Sequence, residues 1–240
     1  MIGIYGIGGI GKTTLAHAVY NFIVDRFEGS CFLADVRENS IKHRLEHLQE
    51  SILFNILGKK NIKLRDSHKG IPILIKKLYC KKVLLILDDV DKLEQLKKLP
   101  GDYDLFISGS AIIITTRDRH ILTAHGVEKI YEVPKFSHNE ALELLQEHAS
   151  KKGKTYQCYV EVWKCATFYA DDLPLALNVI GSYLLGKSAA EWEVAVDRYE
   201  KVPNEDIMNI LRVSFNSLNP SKSKFSLTFH VSSSERSWHM

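Results

Sequence analysis

The chain has 240 residues, of which 45% are hydrophobic, 25% charged and 10% aromatic, the proportions of a globular protein with its own core and not of a disordered or fibrous one. Thirty-two Lys and Arg against twenty-nine Asp and Glu leave a formal charge of +3, too small to argue for nucleic acid or a membrane surface. Cys31, Cys80, Cys158 and Cys165 show no CxxC or Cys/His metal spacing, no apolar run reaches the roughly 18 residues of a membrane span, and no leader pattern opens the chain, so reduced thiols in the cytosol or nucleus are expected.

The first element is an apolar strand, Met1 to Tyr5, followed at once by GIGGIGKTT, Gly6 to Thr14, and then by a helical pattern to Phe27. The spacing fits G-x-x-x-x-G-K-[ST] in the strand-loop-helix context that gives the motif its meaning. Glycines at Gly6, Gly8, Gly9 and Gly11 let backbone N–H groups turn inward around a phosphate, and the helix start adds its positive dipole end. Lys12 is expected to reach the β- and γ-phosphates, Thr13 to offer its hydroxyl to Mg²⁺, and Thr14 to touch an α-phosphate. The alternative is a glycine-rich turn with a chance lysine.

Strand-like runs near 31–36, 83–88, 111–116 and 130–133 alternate with amphipathic stretches near 41–57, 67–79, 92–99 and 118–125, which predicts an α/β fold with a parallel sheet covered by helices on both faces. The basic pairs Lys59-Lys60, Lys76-Lys77, Lys81-Lys82 and Lys97-Lys98 are scattered among helical segments and read as solvated faces. The run KKVLLILDD, Lys81 to Asp89, is continuously apolar before its two acids, as a strand buried on both faces should be. Its carboxyl end is where open α/β sheets bind ligands. Asp88 is the expected Mg²⁺ carboxylate and Asp89 the candidate to polarise an attacking water; acids that merely cap the next helix are the competing reading, although Asp91 can do that. The strand AIIITT ends in Arg117, which reaches the phosphate edge if the strand joins the same sheet; a surface arginine is the bland alternative.

After Pro134 the pattern becomes helical. Ser137 to Glu140 reads as a capping box opening a helix to about Ser150, and further helical segments lie near 159–170, 174–186, 189–200 and 204–216. Trp163 and Trp192 read as packing aromatics, Gly186 as a helix end, and Gly181 as either a weakness in its helix or a point of close packing. The division is therefore residues 1–135, a helical unit over 136–217, and a serine-rich tail over 218–240 with too little apolar surface to order itself. No internal repeat is present.

Seven stretches in order, GIGGIGKTT, FLADVRE (Phe32–Glu38), KKVLLILDDVD, GSAIIITTRD (Gly109–Asp118), YEVPKFSHNEALELL (Tyr131–Leu145), DLPLALNVIGSYLLGKS (Asp172–Ser188) and EWEVAVDRYEKVP (Glu191–Pro203), resemble the NB-ARC nucleotide-binding module of plant NLR disease-resistance receptors. FLADVRE and Asp91 resemble the subclass that begins with a Toll/interleukin-1-receptor-like (TIR) domain. The resemblance implies a STAND-class P-loop NTPase switch, ADP-bound at rest and ATP-bound when active, with Mg²⁺ and slow or absent turnover. It implies Arg117 as the sensor arginine and Pro174 as the helical-unit residue against the nucleotide.

Departures accompany it. Asp172 stands where the family has glycine and brings a carboxylate toward the expected pocket, and Ala111 replaces a basic residue. The winged-helix unit and its Met-His-Asp motif, the leucine-rich repeats, the TIR domain and the segment that helps hold the adenine are all expected to be missing. A truncated defence-signalling module that binds ADP or ATP is the leading expectation, with full-length receptors or signalling proteins as partners and no membrane. A slow turnover ATPase, and a relic that only contacts full-length receptors, are the alternatives.

Overall fold

The computed structural model of the protein describes residues 1–58, 81–99, 106–149, 160–185 and Glu191. Among these, five parallel strands, β1 (Ile2–Tyr5), β2 (Gly29–Leu33), β3 (Val83–Val90), β4 (Ala111–Thr116) and β5 (Lys129–Glu132), form one sheet in the order β2-β3-β4-β1-β5. Helices α1 (Lys12–Ile23), α2 (Val36–Leu57, two segments joined at a kink where Arg44 is non-helical, φ 63°, ψ 163°), α3 (Leu93–Lys98) and α4 (Arg119–Ala124) connect the strands. Three more, α5 (His138–Ala149), α6 (Val160–Ala170) and α7 (Pro174–Leu184), follow β5. The expected helices near 67–79, 189–200 and 204–216, the tail, Cys80, Cys158, Gly186, Trp192 and the side chain of Cys165 lie outside the described residues.

The apolar run of β3 is buried from Val83 to Leu87 because both faces of the sheet are covered. Leu84 and Ile86 point to one face and pack with Ile4, Ile113 and Ala16 of α1. Val83, Leu85 and Leu87 point to the other, with Leu48, Ile52 and Leu53 of α2 and with Ile121 and Leu122 of α4. The split follows from chirality. The connection from β1 travels to the far edge of the sheet and the later ones travel back, so right-handed crossovers put their helices on opposite faces. Cys31 lies in this interior, where burial pushes its thiol up to about 11, so it is an inert packing thiol.

Three local expectations are corrected. The strand expected over 31–36 ends at Leu33, because Asp35 takes a left-handed conformation (φ 50°) and α2 starts at Val36, five residues before the predicted 41. Asp91 does not cap α3. Lys92 is the cap residue, while Gln95 accepts from the backbone N–H groups of Asp91 and Lys92 at 3.0 and 3.1 Å and donates to the Asp91 carboxylate at 2.7 Å. Lys81 and Lys82 precede β3 and are not helical; the Lys82 ammonium sits 5.2 Å from the centre of the Phe27 ring.

The helical unit has its own core of Ala141, Leu145, Trp163, Ala166, Leu177 and Ile180. The capping box at Ser137 forms as its spacing requires: the Ser137 N–H donates to Glu140 Oε2 at 2.7 Å, and the Glu140 N–H donates back to Ser137 Oγ at 3.4 Å. Gly181 marks close packing, since a Cβ there would lie 2.7 Å from the Cβ of His148 on α5.

Candidate nucleotide site

The loop between β1 and α1 bends back on itself through Gly9 (φ 78°) and Gly11 (φ 95°), conformations that side-chain-bearing residues rarely adopt. A Cβ on Gly11 would meet no atom within 4 Å, so the glycine faces open space at the start of α1, where a phosphate can approach the backbone closely. Lys12 opens α1 and arches over the loop, its ammonium donating to the carbonyls of Gly6 and Ile7 at 2.8 Å each. It is only 7% exposed. Burial, then the like charge of Arg117, lowers its pKa to about 8, with a smaller like-charge push from Arg37; Asp89 and Asp88 act in the opposite direction.

The two acids are separated by a bulge. Leu87 pairs with Ile114 and Val90 with Thr116, so β3 carries one residue more than β4 across this interval, and Asp89 takes the left-handed conformation that absorbs it (φ 54°). The two carboxylates consequently meet different partners. Asp88, 1% exposed, accepts from Thr13 Oγ1 at 2.9 and 3.1 Å and from Thr115 Oγ1 at 2.6 Å. Asp89 pairs with Arg37 Nη2 at 2.9 Å through one oxygen and with Arg117 Nε at 3.3 Å through the other. Its backbone N–H donates to Thr115 Oγ1 at 2.8 Å.

Lys12, Thr13, Asp88, Asp89 and Arg117 therefore converge at the carboxyl ends of β1, β3 and β4. Two participants were not legible as such. Arg37 lies within FLADVRE but had no assigned role, and Thr115 was read only as part of a strand. The available signals were a polar Thr-Thr pair closing an otherwise apolar strand and an arginine in the first turn of a helix, where the dipole disfavours a cation. Thr14 is exposed on the first turn of α1.

The donor set suits Mg²⁺. An octahedral ion with Mg–O distances of about 2.0–2.1 Å holds adjacent ligand oxygens about 2.9–3.0 Å apart, and Thr13 Oγ1 stands 2.9 Å from Asp88 Oδ1. One hydroxyl, one carboxylate oxygen and phosphate oxygens are a hard ligand set of the kind this ion takes.

The helical unit touches the loop directly. Ile10 is buried in the helical core and Ile7 packs against it, while the N–H of Leu175 donates to the carbonyl of Gly9 at 3.2 Å. Pro174 occupies the first turn of α7, where its fixed φ and missing N–H cost nothing. Asp172, two residues before it, has φ 53°. A left-handed backbone at this position gives a physical reason for glycine there, and asparagine and aspartate are the side-chain-bearing residues that tolerate it best.

With β4 inserted between the strand that leads into the glycine loop and the strand that carries the acids, the chain has a P-loop nucleotide-binding fold. Within that class it belongs to the NB-ARC domain family, whose model matches residues 1–155. It is 39% identical over 221 residues to disease resistance protein RPV1 of Vitis rotundifolia, covering 91% of this chain and 16% of that protein. It is 35% identical over 234 residues to TMV resistance protein N of Nicotiana glutinosa, covering 95% and 20%. The chain thus spans only 16% and 20% of the length of these two curated relatives. Among solved structures, a STAND protein with a tetratricopeptide repeat sensor from Pyrococcus horikoshii aligns with TM-score 0.41 and 25% identity over 85% of this chain and 30% of that one. A RuvB mutant from Thermotoga maritima aligns with TM-score 0.43 and 13% identity over 88% and 60%. Nucleotide binding is what the family and fold imply. Among the described residues, no helix is long and apolar enough to cross a membrane.

Proposed function

We propose that the chain is the ADP/ATP-binding switch module of a plant intracellular immune receptor, acting in defence signalling in the cytosol or nucleus. The observation that carries this reading is the convergence of Lys12, Thr13, Asp88, Asp89 and Arg117 around the end of the glycine loop. The backbone of Gly6, Gly8, Gly9 and Gly11 receives the phosphates, Lys12 neutralises their charge, and Thr14 contacts the α-phosphate. Thr13 and Asp88 hold Mg²⁺, which when bound offsets charge on the phosphate oxygens. Arg117 senses the γ-phosphate. Asp89 orients water in any hydrolysis, through the acceptor sites that one guanidinium contact on each oxygen leaves open.

The working division is a P-loop unit over 1–135 and a helical unit over 136–217. The Leu175 to Gly9 hydrogen bond and the seating of Ile7 and Ile10 support a switch in which the helical unit, with Pro174 at its nucleotide-facing helix start, moves with the state of the loop. Full-length receptors of the same family or signalling proteins are its proposed partners.

The test is thermal unfolding with Mg²⁺ alone, with ADP and with ATP, beside Lys12→Ala. A ligand at a hundred times its Kd adds about 2.7 kcal/mol, a shift of roughly 5–10 °C for a chain of this size. A shift lost in Lys12→Ala is the expected result. A cooperative melt unmoved by either nucleotide refutes the reading.

A further inference from the structure

The cation opposite Asp89 that the sequence motifs do not account for is Arg37. It sits on the first turn of α2, the end of a helix where a positive charge is disfavoured, yet its Nη2 lies 2.9 Å from Asp89 Oδ2. Arg117 holds the other oxygen at 3.3 Å. Asp89 cannot easily swing away to free either arginine, because the bulge fixes its backbone and its N–H is tied to the buried hydroxyl of Thr115. Both arginines meet at Asp89 and also act on Lys12 as like charges, so the three cations lie within electrostatic range of one another. Glu38 also feels Arg37 but is paired with Lys42, so three cations against Asp88 and Asp89 leave one positive charge, a surplus suited to an anion.

We propose that Arg37 is a nucleotide-discriminating residue: it binds the terminal phosphate of a nucleoside triphosphate together with Arg117, and Asp89 is the internal anion that holds both guanidiniums when a diphosphate is bound. The inference rests on the nucleotide-switch reading above. A terminal phosphate carries more charge than a carboxylate and offers three acceptor oxygens, so it outcompetes Asp89 for two planar forks. No bond is made or broken; one anion replaces another. Arg37 lies in the first segment of α2, before the non-helical Arg44 (φ 63°), so the exchange reports the presence of that phosphate to this segment, whose Val36 is buried in the core on the sheet face opposite α1.

The alternative is a structural role, in which the Arg37–Asp89 pair only pins α2 to β3. Calorimetric titration with Mg²⁺ and either ADP or the β,γ-imido analogue of ATP separates the two, applied to the wild type, Arg37→Gln, Arg37→Lys and Asp89→Asn, each first shown to melt cooperatively. Arg37→Gln should weaken the triphosphate analogue about tenfold or more, the range of a charged hydrogen bond, and leave ADP within about twofold. Arg37→Lys should recover part of the loss by restoring charge without the fork. Asp89→Asn keeps the side chain's shape and removes the competing charge, so it should shift the preference toward the triphosphate. Equal weakening of both ligands by Arg37→Gln, or an unchanged preference in Asp89→Asn, overturns the proposal. A wild type that binds neither nucleotide refutes the switch reading itself, and this inference with it.

Discussion

Replacing Thr115 with valine changes the site without changing its shape. Valine keeps the branched outline of threonine, so no cavity opens in a residue that is 0% exposed. What disappears is one oxygen with two tasks: it donates to Asp88 at 2.6 Å and accepts the Asp89 N–H at 2.8 Å. A hydrogen bond to a charged group contributes about 1.5–3 kcal/mol, and a buried donor left unmet costs about 1–3 kcal/mol. The two effects overlap, and burying a methyl in place of a hydroxyl returns roughly 1 kcal/mol, so the net loss should be about 2–4 kcal/mol. Urea unfolding followed by far-UV circular dichroism measures it, with Thr115→Ser as the control. Serine keeps the oxygen and loses a methyl, at a cost of about 0.5–1.5 kcal/mol. The expected order is wild type, then serine, then valine, although valine is the better strand former. A valine variant as stable as the wild type, or a serine variant worse than valine, refutes the assignment of the hydroxyl as the clamp between the acids.

Lys12 should leave a signature in the pH dependence of stability. Its pKa is lowered to about 8 in the fold from 10.5, so between these values the unfolded chain binds more protons and the Lys12 contribution to stability rises with pH. Denaturation midpoints from pH 8 to 10.5 should show a rise of up to about 3 kcal/mol in the wild type that Lys12→Met lacks. Gly181→Ala should cost about 1–2 kcal/mol in the same denaturation assay, because the contact at 2.7 Å with His148 Cβ outweighs the gain of about 1 kcal/mol in helix propensity; a stabilised variant counts against that packing. Asp172→Gly relieves a left-handed aspartate (φ 53°) and should add about 0.5–1 kcal/mol, or roughly 1–4 °C in the melting midpoint; a lower midpoint contradicts the backbone argument.

The parts of the fold that depend on local pattern were legible. The apolar run Val83–Leu87 announces a strand covered on both faces, and Ser137 with Glu140 announces a helix start, because the cause lies within a few residues. The site was legible where a motif fixes it, at Gly6 to Thr13 and at Asp88. Arg37 and Thr115 were not, because their roles depend on the bulge after Leu87. Alternation along a regular strand would put Asp88 and Asp89 on opposite faces, and pairing alone reveals that β3 gains a residue over β4 and turns both acids toward the site. The early start of α2 was hidden for a similar reason: Asp35 turns the chain with a left-handed backbone, which no hydrophobic period records.

Ile7 and Ile10 occupy positions that the glycine-loop motif leaves open to any residue, yet both face the core of α5, α6 and α7. The loop is thus double-sided, with backbone turned to a ligand and side chains turned to the helices. One practical consequence concerns dissection of the chain. A fragment cut at residue 135 would retain every motif position of the phosphate loop and expose two isoleucines on its reverse side. Such a fragment should be sticky and poorly behaved on its own, and any measurement of affinity made with it would report a loop stripped of its backing.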